Sequence, residues 1–324
     1  MSLIYDYLLS PVVIVPAIIA ATIHLLRDYW QGGQFTKPTD ETGKVVIVTG
    51  ANTGIGKETV RELARRGATV YMACRNLEKC EEARREIVQE TNNTNIYTRE
   101  LDLSSLESIR KFVVGYKQEQ DKLHILINNA GQMNCPKSLT TDGFEMHLGV
   151  NHLGHFLLTN LLLEYLKKSA PSRIVNVSSL AHIFGRINKK DLNSEKSYSQ
   201  DFAYAQSKLA NILFTRELAK RLQGTGVTTN ALHPGVVQTE LLRHWNFFRK
   251  YFFTPFVWPI FKTPKSGAQT TLYAALDPDL DSVSGQYFSD CKPTWTSPAA
   301  KNEETGQWLW LESEKLTGIR NPSN

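Results

Sequence analysis

The chain has 324 residues, 41% of them hydrophobic and 21% charged, with a formal net charge of +5. That suits one large α/β domain plus a short extra segment. Lys and Arg are interleaved with Asp and Glu along predicted helices, a solvated surface that excludes a nucleic-acid stripe and a nucleic-acid partner. The cysteines, Cys74, Cys80, Cys135 and Cys291, have no zinc-type spacing and read as free thiols in a reducing compartment.

The first predicted element is apolar. Leu8 to Leu26 contains no charged residue, and as a helix it spans about 28 Å, close to the roughly 30 Å hydrocarbon core of a bilayer. Pro11 and Pro16 count against a soluble helix but are tolerated in a membrane. Ala17, Ala20 and Ala21 leave a cleaved signal peptide as the rival reading. Its basic n-region is missing, because Asp6 is the one charged side chain before the apolar run. A retained anchor is therefore expected over residues 1–30, with a juxtamembrane linker at 31–43 and the folded domain at 44–324. Arg27, Lys37 and Lys44 follow the apolar segment, which places that domain in the cytoplasm by the positive-inside tendency.

Lys44 to Val48 is a buried β-branched strand, and Lys57 to Arg66 a helix with Val60, Leu63 and Ala64 at helical spacing and Gly67 as its stop. Between them lies Thr49-Gly50-Ala51-Asn52-Thr53-Gly54-Ile55-Gly56. A glycine-rich turn in that context seats a dinucleotide's pyrophosphate on backbone N–H groups at the helix N-terminus. Further strands are predicted at 69–74, 95–101, 123–128, 173–178, 226–232 and 284–288, with helices between and no repeat or low-complexity linker. This rhythm predicts an α/β fold: a doubly wound parallel sheet of Rossmann type, with right-handed crossovers.

The second strand ends in Cys74-Arg75. An NAD site wants a carboxylate there for the ribose 2′-hydroxyl, whereas an arginine accommodates a 2′-phosphate. Arg75 therefore predicts NADP(H), the alternative being a mere surface charge. Asn92-Asn93-Thr94 is a glycosylation sequon on a predicted surface turn, and Ser104-x-x-Glu107 reads as a capping box. Asn128 and Asn129 follow a buried apolar run, so their amides must be satisfied and are expected to brace the sheet and loop. His147, His152 and His155 fall on one predicted helix without acid or thiol partners at ligand spacing, so no metal site is expected.

Tyr204 and Lys208 share a helix face at i, i+4. Chance alone supplies about one Tyr-x-x-x-Lys in a chain of this composition, so a solvated helix face is the alternative. Beside a nicotinamide, the pair describes carbonyl/alcohol redox chemistry. Tyrosine titrates at about 10, and a neighbouring ammonium is expected to lower that by about 1–3 units, towards the range where acid–base catalysis is efficient. His244 to Phe261 is unusually aromatic. With Arg249-Lys250 it suits a membrane interface or a lipophilic substrate mouth, and ordinary core aromatics are the other reading.

Taken together, Thr49–Gly56, Asn128-Asn129-Ala130-Gly131, Asn151, Ser178-Ser179, Tyr204-x-x-x-Lys208 and His233-Pro234-Gly235 make the chain resemble a short-chain dehydrogenase/reductase. The runs Phe202 to Leu213 and Tyr287-Phe288-Ser289-Asp290-Cys291-Lys292 resemble the membrane-anchored, NADP-dependent retinol dehydrogenase group. The match spans about Thr42 to Ile319. The resemblance implies a catalytic set of Asn151, Ser179, Tyr204 and Lys208. Tyr204 would protonate the carbonyl oxygen, Ser179 would steady developing charge on it, Lys208 would also hold the nicotinamide ribose, and Asn151 would position a water leading to Lys208. Cofactor contacts are implied at Gly50, Asn52, Thr53, Gly54, Ile55, Gly56, Arg75, Asn129, Ala130, Gly131, Tyr204 and Lys208. Asp102 is implied at the adenine amino group, its alternative being a turn residue. Pro234, Gly235, Val237 and Thr239 would seat the carboxamide.

The expected activity is NADP(H)-dependent interconversion of a retinoid-like or other lipophilic carbonyl and its alcohol, mainly reductive. Fatty-aldehyde or sterol substrates are rivals, as is a catalytically idle NADP-binding membrane scaffold. The resemblance also implies an endoplasmic reticulum or other intracellular membrane and leaves room for a homodimer. The polar insert around Gly185–Gln200 departs from compact relatives and leaves the substrate wall open.

Overall fold

The computed structural model describes residues 10–133, 135–237 and 261–319, apart from the side chains of residues 20, 25 and 28. Helix α1 (Pro11–Gln31) precedes an alternating series: β1 (Val45–Thr49), α2 (Gly54–Arg65), β2 (Thr69–Cys74), α3 (Leu77–Thr91), β3 (Ile96–Glu100), α4 (Leu106–Glu119) and β4 (Ile125–Asn128). Then come α5 (Met146–Leu148), a π-helical turn (Gly149–Leu153), α6 (Gly154–Lys168), β5 (Ser172–Val177), a 3-10 turn (Leu180–Phe184), α7 (Gln200–Arg221) and β6 (Val227–His233). Helix α8 (Pro264–Leu276), β7 (Tyr287–Ser289), β8 (Lys292–Pro293) and α9 (Glu303–Thr317) complete it.

The strands form one eight-stranded sheet in the order β3-β2-β1-β4-β5-β6-β7-β8. All pairings are parallel except β7 with β8. The expected doubly wound parallel sheet is present, with an antiparallel edge that periodicity did not predict. Asp290 and Cys291, at φ of 51° and 56°, make the reversal into that edge.

The β-branched run of β1 is continuous because both of its faces are buried. Val46 and Val48 pack with Val60 and Leu63 of α2 on one side. Val45 and Ile47 pack with Phe112 of α4 and Phe156 of α6 on the other. Strand order reverses between β1 and β4, so their carboxyl ends splay and open the crevice where ligands bind in such sheets.

Helix α1 has 21 residues, is long and apolar enough to cross a membrane, and is not buried in protein. Pro11 occupies its first turn, where an N–H is dispensable, and Pro16 lies inside it. Its last residue is tied to the domain: Gln31 Nε2 donates to the Phe261 carbonyl (3.3 Å) and Gln31 Oε1 accepts from Thr263 N (2.9 Å). The following segment is also fastened. Phe35 is buried and its N–H donates to Gln269 Oε1 (3.0 Å), while Lys37 pairs with Asp277 (2.7 Å).

Two local expectations fail. The cap of α4 is Ser105, whose side chain accepts from Ser108 N, while Ser104 bonds Asp102 instead. Cys74 and Cys80 are joined in a disulfide rather than free, because the end of β2 and the first turn of α3 bring their Cα atoms to 6.3 Å. Cys135 and Cys291 are free thiols.

Candidate active site

The crevice is a cavity of about 1230 Å³. That exceeds the roughly 300–1,000 Å³ of ordinary ligand pockets, as a site for both a dinucleotide and a substrate requires. One end is the glycine turn. A Cβ at Gly56 would stand 2.3 Å from the Gly50 carbonyl oxygen, and Gly50 holds φ at +64° against Ala130. Thr53 precedes α2 without capping it through its side chain, which leaves the helix N–H groups facing the cavity. Asn52, Thr53, Gly54 and Ile55 line this end. The cradle fits a pyrophosphate, and so fits a dinucleotide cofactor.

The turn is braced from β4. Asn129 Nδ2 donates to the Thr49 carbonyl (2.8 Å), and the N–H groups of Asn129 and Ala130 both donate to Thr49 Oγ1 (2.9 Å each). Asn128 is buried away from the cavity, its Nδ2 donating to Asn176 Oδ1 (2.8 Å) and Thr159 Oγ1 (2.9 Å). Ala130 and Gly131 continue the cavity wall.

Arg75 is exposed and lines the adenosine end, together with Asn76 and Lys79, neither of which the motifs single out. Lys79 sits in the first turn of α3, capped by Asn76, so a second basic side chain one turn after Arg75 was the available signal. Asp102 lines the cavity, but its Oδ1 accepts from Ser104 N (2.9 Å) and Ser104 Oγ (2.6 Å), so the turn role is real as well. At the opposite end Pro234, Gly235 and Val237 line the cavity; Thr239 and the aromatic run up to residue 260 lie outside the described residues.

Tyr204, Ser179 and Lys208 line the cavity between these ends, and Asn151 is buried behind Gly131 and Gln132. Ser179 caps the 3-10 turn that follows β5, its Oγ accepting from Ala181 N (3.2 Å), and it lines the cavity with Tyr204. Lys208 Nζ donates to the Val177 carbonyl (3.2 Å) and lies 5.7 Å from the Tyr204 ring centroid. Asn151 sits in the π-helical turn, where one widened turn aims its side chain inward. Its Oδ1 accepts from Gln132 N (2.7 Å), and its Nδ2 donates to the Gln132 carbonyl (3.0 Å) and Ser207 Oγ (2.9 Å). A Cβ on Gly131 would meet both Asn151 Oδ1 and Lys208 Nζ at 3.3 Å. Ser178 Oγ donates to the Lys208 carbonyl instead (2.7 Å).

The electrostatics depart from expectation. Burial pushes the Tyr204 phenol above its usual value, and the Ser179 hydrogen bond only partly opposes this. Desolvation pulls Lys208 down to about 8. The ammonium lies over the ring rather than at the phenol oxygen, so removal from water outweighs its attraction for the phenolate.

Beyond these residues, Leu180 and Phe184 line the cavity although 50% and 78% exposed. An apolar run between Ser179 and the polar insert was the signal for them. The three histidines are not on one uniform helix. His147 has the acid and thiol partners the spacing did not reveal, Glu145 and Cys135.

The profile of the short chain dehydrogenase family matches residues 44–249, and the chain belongs to that family. It is 59% identical to retinol dehydrogenase 12 of Homo sapiens over 297 residues, covering 91% of this chain and 93% of that one. It is 56% identical to human retinol dehydrogenase 11, covering 91% and 92%. Within the family it falls in the retinol dehydrogenase group. A crystal structure of an uncharacterized protein from Mycobacterium paratuberculosis superposes with a TM-score of 0.72 at 39% identity, covering 89% of this chain and 99% of that one. The chain is an oxidoreductase acting on alcohol and carbonyl groups with a nicotinamide cofactor.

Proposed function

We propose that the protein is a membrane-anchored, NADP(H)-dependent reductase of retinoid-like or other lipophilic aldehydes and ketones. The observation carrying this reading is the convergence of Tyr204, Ser179 and Lys208 on a cavity whose far end is a phosphate cradle, with Asn151 buried behind its Gln132 wall. When bound, the nicotinamide supplies the hydride. Tyr204, kept protonated by burial, donates its proton to the carbonyl oxygen, and Ser179 hydrogen-bonds the same oxygen as charge develops. Lys208 holds the cofactor ribose, and Asn151 fixes the Gln132 segment beside it. A protonated phenol is the form that carbonyl reduction consumes, which favours the reductive direction.

NADP(H) is preferred to NAD(H) because Arg75, with Lys79 nearby, offers cations and no carboxylate to a 2′-phosphate. The names of the relatives and the apolar wall at Leu180 and Phe184 support a retinoid-like substrate. Arg27, near the end of α1, with Lys37 and Lys44 beyond it, supports a cytoplasmic side for the domain. The Cys74–Cys80 disulfide is the one observation that argues the other way, since such bonds persist mainly in oxidising compartments. The decisive experiment incubates the anchored protein with NADPH and a panel of retinal, fatty aldehydes and ketosteroids. Turnover of a lipophilic aldehyde is expected; NADPH binding without turnover of any of them overturns the proposal.

A further inference from the structure

Beside the carbonyl site, three buried side chains form a chain of hydrogen bonds that the reduction does not use. Cys135, 6% exposed, places its Sγ 3.2 Å from His147 Nε2. His147 Nδ1 is 2.7 Å from Glu145 Oε1. The carboxylate is held in turn by the N–H groups of His147 (2.9 Å) and Leu148 (2.8 Å), at the start of α5. With Nδ1–H donated to the carboxylate, Nε2 is the ring nitrogen that exchanges a proton with the thiol. Thiol, imidazole and carboxylate in that order are the parts that activate a cysteine nucleophile. Burial opposes a charged imidazole here, but Cys135 and Glu145 outweigh it and raise His147 to about 9.

The position matters as much as the chemistry. Gln132 and Met133 line the carbonyl cavity, and Cys135 follows in the same segment, its carbonyl held by the Tyr198 hydroxyl (2.8 Å). The His147 ring meets the Tyr204 ring edge-on, with centroids 6.1 Å apart. Cys291, the other free cysteine, offers an internal contrast. It is more exposed, yet burial pushes its thiol up to about 11, and its Sγ faces the Gly33 carbonyl rather than a base.

We propose that Cys135 is a nucleophilic thiol that forms covalent adducts with conjugated aldehydes entering the carbonyl cavity. His147 Nε2 holds the proton that has left the thiol as sulfur bonds to the β-carbon. The π pair of the carbon–carbon double bond moves to the α-carbon, which receives the proton back from His147. The aldehyde is preserved, nothing is oxidised or reduced, and no group leaves. Cys135 lies behind Gln132 and Met133, which line the cavity, so the aldehyde reaches it past that wall, and the adduct would displace the wall and end turnover. The choice of aldehyde rests on the carbonyl-site reading above; the reactivity of Cys135 does not.

The test uses the full chain in detergent micelles, loaded with NADP⁺ so that the aldehyde is not reduced, and exposed to trans-2-nonenal or, separately, iodoacetamide. Peptide mass spectrometry locates the products. Cys135 should react with each reagent at least about tenfold faster than Cys291, because the thiolate is the attacking species. Cys135→Ser should keep NADPH-linked turnover of a saturated aldehyde and resist inactivation by nonenal. Glu145→Gln should slow the Cys135 adduct by about tenfold; should that variant not fold, the first two comparisons decide alone. Equal or slower reaction at Cys135 than at Cys291, or unchanged inactivation of Cys135→Ser, overturns the proposal. Iodoacetamide labelling of Cys135 without a nonenal adduct overturns the aldehyde adduct and places the fault in the carbonyl-site reading.

Discussion

The Lys208 ammonium lies over the face of the Tyr204 ring, 5.7 Å from its centroid, and donates to the Val177 carbonyl. Both groups are removed from water, and each is pushed towards its neutral form: Tyr204 upward, Lys208 down to about 8. A protonated phenol is thereby the resting state, ready to give its proton to a carbonyl oxygen.

Replacing Tyr204 by Phe keeps the ring and removes only that proton. Carbonyl reduction should fall by about 10²–10⁴-fold, the usual reach of general acid catalysis, with NADPH affinity nearly unchanged. Steady-state kinetics and cofactor titration check it. Substantial residual turnover would show that another group supplies the proton.

Arg75→Leu removes one cation from the adenosine end of the cavity. If the guanidinium makes a charge-assisted bond to the 2′-phosphate, NADPH affinity should drop by about 1.5–3 kcal/mol, or about 10- to 150-fold. NADH affinity should not move. An unchanged NADPH dissociation constant would point to Lys79 as the residue reading the phosphate.

Acid should unfold the protein early. His152 and His155 are buried, and desolvation lowers them to about 4 and about 3. In the unfolded chain both titrate near 6.5, so below that pH the unfolded state binds more protons and folding stability is lost as pH falls. Each ring contributes about 1.4 kcal/mol per pH unit across that window. His147 adds nothing there, since raised to about 9 it is protonated in both states; its stabilisation is lost instead as pH rises through about 9. Melting temperatures should fall from about pH 6.5 downward, ahead of carboxylate titration near 4. A flat profile between about pH 6.5 and 5 would show that the two rings accept protons within the fold.

Topology has a reporter at Asn92, exposed at the end of α3 with φ of 57°. A cytoplasmic domain leaves this sequon bare. A glycan on Asn92 in cells would reverse the orientation, and would also put the Cys74–Cys80 disulfide in the compartment that favours it.

Much of this architecture was legible because the determining signals are local. A strand buried on both faces reads as a continuous β-branched run, and Gly50 and Gly56 lie between such a strand and an amphipathic helix. What stayed hidden depends on tertiary approach. Cys74 and Cys80 sit six residues apart, and only the angle between β2 and α3 decides that they pair. Cys135, Glu145 and His147 follow no helical spacing, because a loop carries the thiol to the ring. The upward shift of Tyr204 comes from desolvation, a property of everything packed around it rather than of its neighbour at i+4. The cap of α4 moved by one residue because Asp102 claims Ser104.

Gly32, at φ +72°, leaves α1 so closely against the domain that a Cβ there would strike Asp290 and Lys262. Lys262 pairs with Asp290 and stands against Gly235, in the loop at the far end of the cavity. The stalk is therefore seated, not slung. Were α1 to span a bilayer as proposed, a domain held this way would not swing as if on a cord; its tilt and depth would follow those of α1. Trimming residues 1–30 would leave this seat largely intact, whereas trimming residues 1–43 would take Phe35 from the core and the backing from the Gly235 loop. A soluble enzyme cut at the second point would lose cofactor affinity without any change in the cavity's own side chains.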